Sequence, residues 1–150
     1  MAEKKYGKYV SPAPISQIPH DGYNFEGIYA HQEGLGGANC TLAFQYITVP
    51  FEEGPPHKHN GHQLLVFVGS NLEKMSDFDA DIEIVLGDEL EIQNINSPSV
   101  VSIPPGLTHC PLRFTRIGKP VLFIEIVLEG SYKRVLEPGE EQFEAYTKLL

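Results

Sequence analysis

Between Thr41 and Leu128 the chain is a succession of short β-branched and aromatic segments, each cut off by turn formers before it reaches helix length. Thr41–Val49 reads TLAFQYITV and Gln63–Val68 reads QLLVFV. Ile82–Leu86 and Glu89–Ile95 flank Gly87-Asp88, and Val100–Ile103 runs into Pro104-Pro105-Gly106. Leu112–Arg116 and Val121–Leu128 flank Ile117-Gly118-Lys119-Pro120. Branched and aromatic side chains pack well on a pleated surface, whereas Gly, Pro, Asn and Asp supply turn geometries. Six or seven such runs at this spacing predict an all-β antiparallel sandwich or barrel. No helical periodicity interrupts them, which argues against βαβ units.

The ends read differently. Residues 1–38 are rich in Gly, Pro and polar groups and form an irregular arm, in which Ile15–Ile18 and Tyr23–Tyr29 are candidate edge strands. At the other end, Phe143, Tyr146 and Leu150 fall at helical spacing, so one short amphipathic helix is expected over 140–150. At 150 residues the expectation is a single domain. With 20 acidic and 11 basic side chains the formal charge is −9, which repels phosphate backbones; nucleic acid and anionic membranes are poor partners. The first residues carry no apolar stretch of the signal-peptide kind, and no run approaches membrane-spanning length. A soluble, cytoplasmic protein is expected. Cys40 and Cys110 form no Cys-x-x-Cys pair, so thiolate zinc and thioredoxin-type motifs lack support. Asp77, Asp79 and Asp81 start a calcium-loop pattern that fails at its glycine position, here Ile82, and reads as a solvated loop.

Three of the six histidines, His57, His59 and His62, crowd into GPPHKHNGHQLLVFVG at the entry to a strand. Side chains two apart on an extended chain share a face, so His57, His59, Gln63, Leu65 and Phe67 point one way unless Asn60-Gly61 inserts a bulge. His62 has the opposite parity, and turns inward only with such a bulge. Far along the chain, Ile103-Pro-Pro-Gly-Leu-Thr-His places His109 directly after a Pro-Gly turn. Three imidazoles and a side-chain oxygen make a nearly complete metal shell with open positions.

This pair of patterns resembles the cupin superfamily. Pro56-His57-Lys58-His59-Asn60-Gly61-His62-Gln63 matches the His-x-His of the first cupin motif and the spacing to its fourth ligand, with Gln63 where Glu is usual and Gly69 closing one residue early. Pro104-Pro105-Gly106-Leu107-Thr108-His109 matches the Pro-x-Gly-x-x-His core of the second, with Pro98 and Arg113 at the flanking Gly and Asn positions. The likeness covers about residues 41–128 and implies a small single-domain jelly-roll β-barrel, often dimeric. It also implies that His57, His59, Gln63 and His109 meet around a divalent transition metal: iron, nickel, zinc or manganese. A neutral amide at position 63 leaves the full charge of the ion uncompensated.

Two further residues are candidates for catalysis. Arg113 shares the parity of His109 and either reaches the cavity to hold an anionic substrate or faces solvent. Glu125 lies within the apolar run Val121–Leu128; facing the interior it has a raised pKa and serves as general acid or base, and at an edge it sees water. Cys110 has opposite parity to His109 and reads as a small packed residue, while one of Gln45 and Tyr46 faces the pocket. Gln63–Val68 is apolar on both faces, which implies a second layer or a homodimer contact. The expected function is a metal-dependent enzyme acting on a small organic substrate, by dioxygenation, isomerisation or lyase chemistry; the alternative is a non-catalytic binding module for a small molecule or metal.

Overall fold

Chain segments of this kind cannot bury their apolar faces alone, and in the computed structural model, which describes residues 4–20, 23–131 and 134–136, they stack as two antiparallel sheets. In chain order the strands are β1 (Ile15–His20), β2 (Tyr23–Ala30), β3 (Thr41–Ile47), β4 (Phe51–Glu53), β5 (Gln63–Gly69), β6 (Ala80–Leu86), β7 (Glu91–Ile95), β8 (Ser99–Ile103), β9 (His109–Ile117) and β10 (Val121–Val127). The larger sheet runs β1-β2-β3-β10-β5-β8 and the smaller β4-β9-β6-β7. The expected edge pair from the N-terminal arm is present as β1 and β2. The all-β jelly-roll expectation therefore holds, although among the described residues the two sheets keep separate hydrogen-bond ladders and do not close into one barrel. The helix expected over 140–150 lies outside the described residues.

Alternation places the core. Along β3 the even-numbered residues, Leu42 to Tyr46, look outward and the odd-numbered ones inward, so Gln45 is buried and Tyr46 is exposed. Between the sheets, Phe67 and Phe123 stack at 5.2 Å from one side, and Phe114 of β9 meets Phe123 edge-on at 5.7 Å from the other. Phe51 extends the cluster by stacking on Phe114 at 4.8 Å. Such rings bury large areas and lock the spacing of the two layers. At the end of β5, a methyl group on Gly69 would run into the backbone carbonyl of Asp77, so the strand can leave the sheet there only past a bare Cα.

The Asp-rich link between β5 and β6 is a surface feature, as expected. Asp77 pairs with Lys119 at 2.8 Å, and Arg116 pairs with Asp79 at 2.7 Å and Asp81 at 2.6 Å. These carboxylates are taken up by cations of the β9–β10 hairpin.

Truncating the buried ring at the centre, Phe114→Ala, is expected to cost about 3–5 kcal/mol of stability. Leu72→Ala, at a side chain 97% exposed, should change stability by no more than about 0.5 kcal/mol. Urea denaturation of the two variants checks the contrast.

Candidate metal centre

The short strand β4 lies along β9, pairing Phe51 with Phe114 and Glu53 with Leu112. Gly54 then turns the chain with φ +68°, and the pairing resumes at His57, whose N–H and C=O both bond to His109 at 3.0 and 2.9 Å. Gly106, itself at φ +81° in the Pro-Gly turn, donates to the carbonyl of His59 at 2.9 Å. After Asn60-Gly61 the chain crosses to the larger sheet and enters β5 at Gln63. The site thus sits at the corner where the polypeptide passes from one sheet to the other.

Backbone pairing brings the rings together. The centroids of His57 and His59 are 4.9 Å apart, those of His57 and His109 4.5 Å, and those of His59 and His109 5.2 Å. His59, Gln63 and His109 are all buried. The structure therefore gathers the three histidines and brings Gln63 to the pocket beside them. His62 points away and bonds to Ser102 Oγ at 2.7 Å, as its parity requires.

The tautomers follow from the neighbours. Nδ1 of His57 lies 2.8 Å from the carbonyl of Pro55, and Nδ1 of His109 lies 3.0 Å from the carbonyl of Leu107. A carbonyl only accepts, so each Nδ1 carries the proton and each Nε2 keeps its lone pair. Both Nε2 atoms, and Oε1 of Gln63, are buried with no hydrogen-bond partner. Leaving a buried acceptor unsatisfied is costly; a hydrogen-bond donor or a metal ion would each satisfy lone pairs of this kind. Burial is the main reason the rings stay neutral, pushing His57 down to about 2 and His109 down to about 4; each ring also feels a second histidine. Neutral imidazole is the ligating form.

Around these atoms lies a pocket enclosing about 310 Å³, its open mouth included, with Leu65, Leu112 and Phe123 as apolar walls and Glu53, Glu125 and Arg134 as charged ones. Of its two expected orientations Glu125 takes the interior one: its Oε1 accepts from Nε2 of Gln63 at 2.6 Å. Burial, and then the neighbouring Glu53 carboxylate, push Glu125 up to about 8. In this bond Gln63 presents its NH2 to Glu125, and its Oε1 is left without a partner.

Arg113 does not reach the pocket. It pairs with Glu52 at 2.9 Å and Glu83 at 3.7 Å on the outer face of the smaller sheet. The cause is a bulge. Ile84 pairs with Leu112 but Leu86 pairs with His109, so Cys110-Pro111 contains one residue more than the facing strand. Cys110 adopts φ +81°, and both His109 and Cys110 are buried and line the pocket. Beyond the bulge the parity is inverted: Leu112 and Phe114 face inward and Arg113 faces outward. The cation in the pocket is Arg134 instead, which follows β10 and carries no periodic signal. Glu53 is hidden in a strand too short to show alternation, and simple parity puts Cys110 on the wrong face because nothing local announces a bulge at Cys-Pro.

No protein-family profile matches the chain, and no curated protein matches it. Among solved structures, a point mutant of Bacillus subtilis oxalate decarboxylase aligns with a TM-score of 0.57 at 13% identity, over 80% of this chain and 29% of that one. A B. subtilis oxalate decarboxylase structure described through its Mn(II) centres aligns with a TM-score of 0.57 at 12% identity, over 82% and 31%. The Lactobacillus farciminis oxalate decarboxylase–formate complex aligns at 0.53 and 14% identity, over 79% and 33%. The chain spans about a third of the length of these proteins. They are cupins, and the likeness establishes the cupin fold for this chain.

The raised Glu125 carboxyl has a pH signature. Folded, it holds its proton up to about 8, against 4.5 for an unperturbed glutamate, so over that window the folded state binds more protons than the unfolded state. Stability therefore falls as pH rises. The buried histidines act in the opposite sense, but only below their unfolded value of 6.5. Metal-free protein should thus lose stability from about pH 6.5 to about 8, and Glu125→Gln should flatten the slope. Urea midpoints measured across the window decide; an unchanged slope in the variant would refute the assignment.

Proposed function

We propose that the chain is a metal-dependent cupin enzyme acting on a small organic carboxylate, with a divalent transition metal held by His57, His59, His109 and the Gln63 amide oxygen. The observation that carries the reading is the set of buried, unpartnered acceptors on His57, His109 and Gln63, fixed in direction by Pro55, Leu107 and Glu125. Bound there, such an ion supplies Lewis acidity and, for iron or manganese, access to oxygen chemistry. The chain's own groups do the rest. Arg134 supplies positive charge for a substrate carboxylate. Glu125, protonated near neutrality, donates or removes a proton at its Oε atoms. Leu65, Leu112 and Phe123 exclude water from one side. That the structural neighbours are named for oxalate and formate complexes supports a small carboxylate as substrate, whether it is cleaved, isomerised or oxygenated.

The missing carboxylate at position 63 gives the second reading some weight: a weakly charged shell also suits a module that binds a ligand and returns it unchanged. The enzyme reading is preferred because Glu125 and Arg134 offer proton transfer and anion binding within one pocket.

The reading includes a homodimer. Across β3, β10 and β5 the outer face carries Phe44, Ile124 and Val66, flanked by exposed Tyr46 and Val100. A second copy brings the same apolar face and buries both, as two-fold contacts do.

Protein isolated without an affinity metal should contain close to one first-row metal per chain by elemental analysis, and His57→Ala and His109→Ala should each abolish it. Arg134→Ala should raise KM for small carboxylates at least tenfold with metal content unchanged. Full metal content in His109→Ala, or retained affinity in Arg134→Ala, would count against the respective role. Ile124→Arg should halve the mass found by sedimentation equilibrium.

A further inference from the structure

Cys110 is left over from this account. Its sulfur and one nitrogen each of His57 and His109 lie within 4.8 Å of one another, a grouping of three ligating atoms from His, Cys, Asp or Glu among the described residues. His59 contacts both rings but stands outside that set. Both members from β9 are buried, His109 at 1% and Cys110 at 7% exposure, and Nε2 of His109 has no partner. Consecutive strand residues ordinarily face opposite ways. Here the bulge and the positive φ of Cys110 turn two neighbours into one cavity, a backbone state that a residue with a Cβ adopts rarely and that clusters at functional sites.

We propose that the Cys110 thiolate is a ligand of the metal, completing with His57 and His109 a two-imidazole, one-thiolate core to which His59 and Gln63 are auxiliary. The proposal rests on the metal reading above and sharpens it. Three imidazoles and an amide leave the ion its full double charge, whereas a thiolate restores the negative charge that a glutamate at position 63 would have given. Formation is balanced and redox-neutral: the S–H bond breaks, the metal–sulfur bond forms, and the proton leaves to solvent. A free nucleophilic thiol is the competing use of this residue. It is disfavoured because the sulfur is buried, at 7% exposure, and has little access to an outside electrophile. Tetrahedral binding at bond lengths of about 2.0–2.3 Å needs donors about 3.5 Å apart, within reach of small side-chain rotations from the observed set.

Thiolate ligation changes which metal the site prefers. Soft sulfur selects zinc, cobalt and iron over manganese, magnesium and calcium. A site of this kind therefore differs in preference from the Mn(II) centres named for one of the structural neighbours.

The test is cobalt substitution of the full chain after chelation, without oxygen. The wild-type protein and Cys40→Ser should both show an intense near-ultraviolet thiolate-to-cobalt charge-transfer band at one cobalt per chain. Cys110→Ser should bind cobalt through its histidines without that band, with at least tenfold weaker affinity and a reduced preference for zinc over manganese. X-ray absorption on the zinc-loaded wild type should show one sulfur at about 2.3 Å, a readout that needs no variant to fold. Cobalt bound at full stoichiometry with no band and no sulfur in the shell would overturn Cys110 as a ligand and leave the histidine site standing. Failure to bind cobalt or zinc at all would remove the metal reading and this inference with it.

Discussion

Two backbone hydrogen bonds between His57 and His109 organise everything functional in this molecule. They join residues far apart in sequence, and they do so past a break in the ladder, where Gly54 and Cys110 both take positive φ. The pair needs neighbours that hold each partner. Gly106 bonds to His59, Gly87 bonds to Thr108 at 2.7 Å, and Thr108 Oγ1 donates to Asp88 at 2.6 Å, so the loop before β9 is pinned to the β6–β7 turn. Side-chain geometry at the site is then a consequence of main-chain geometry, which makes it rigid.

Rigidity of this sort has an energetic consequence. Protein interiors seldom leave buried acceptors unpaired, because the desolvation cost is not recovered. Here two imidazole nitrogens and an amide oxygen are unpaired at once, and each is held there by a bond on its other side. A structure that merely tolerated polar groups in its core would let these rings rotate toward solvent or toward each other. Pro55 and Leu107 prevent that, and the same carbonyls raise ligand basicity by accepting from Nδ1. The result is a set of buried acceptors held in fixed directions.

Much of this is legible in the sequence, and what is not has a common cause. Period-two reasoning places His57, His59 and Gln63 together and turns His62 outward, although the chain bends at Asn60-Gly61 as it crosses between sheets. It finds nearly every strand by its β-branched runs, but not β4, which at three residues is too short to alternate. The same reasoning fails at β9. One extra residue at Cys110-Pro111 inverts the stretch from Leu112 to Phe114, up to a second register shift before Arg116, so parity sends Arg113 to the cavity and Cys110 away from it, the reverse of what the fold does. Register is a non-local property, decided by what β6 and β4 pair with, and β9 alone holds no record of it. Arg134 is invisible for a related reason: it lies in an irregular segment, and only the tertiary path brings its guanidinium to the pocket.

The same bulge bears on the oddest residue of the site. A glutamine in place of the expected carboxylate looks like a weakened centre if the first motif is considered alone. Yet Gln63 is not an isolated amide, since Glu125 accepts from its NH2 and thereby polarises the oxygen that remains. Glu53 stands near enough to raise Glu125, and Arg134 in the same pocket acts against it. Carboxyl groups have not been lost from this corner of the protein. They lie in the layer behind position 63, where burial and then the Glu53 carboxylate raise Glu125.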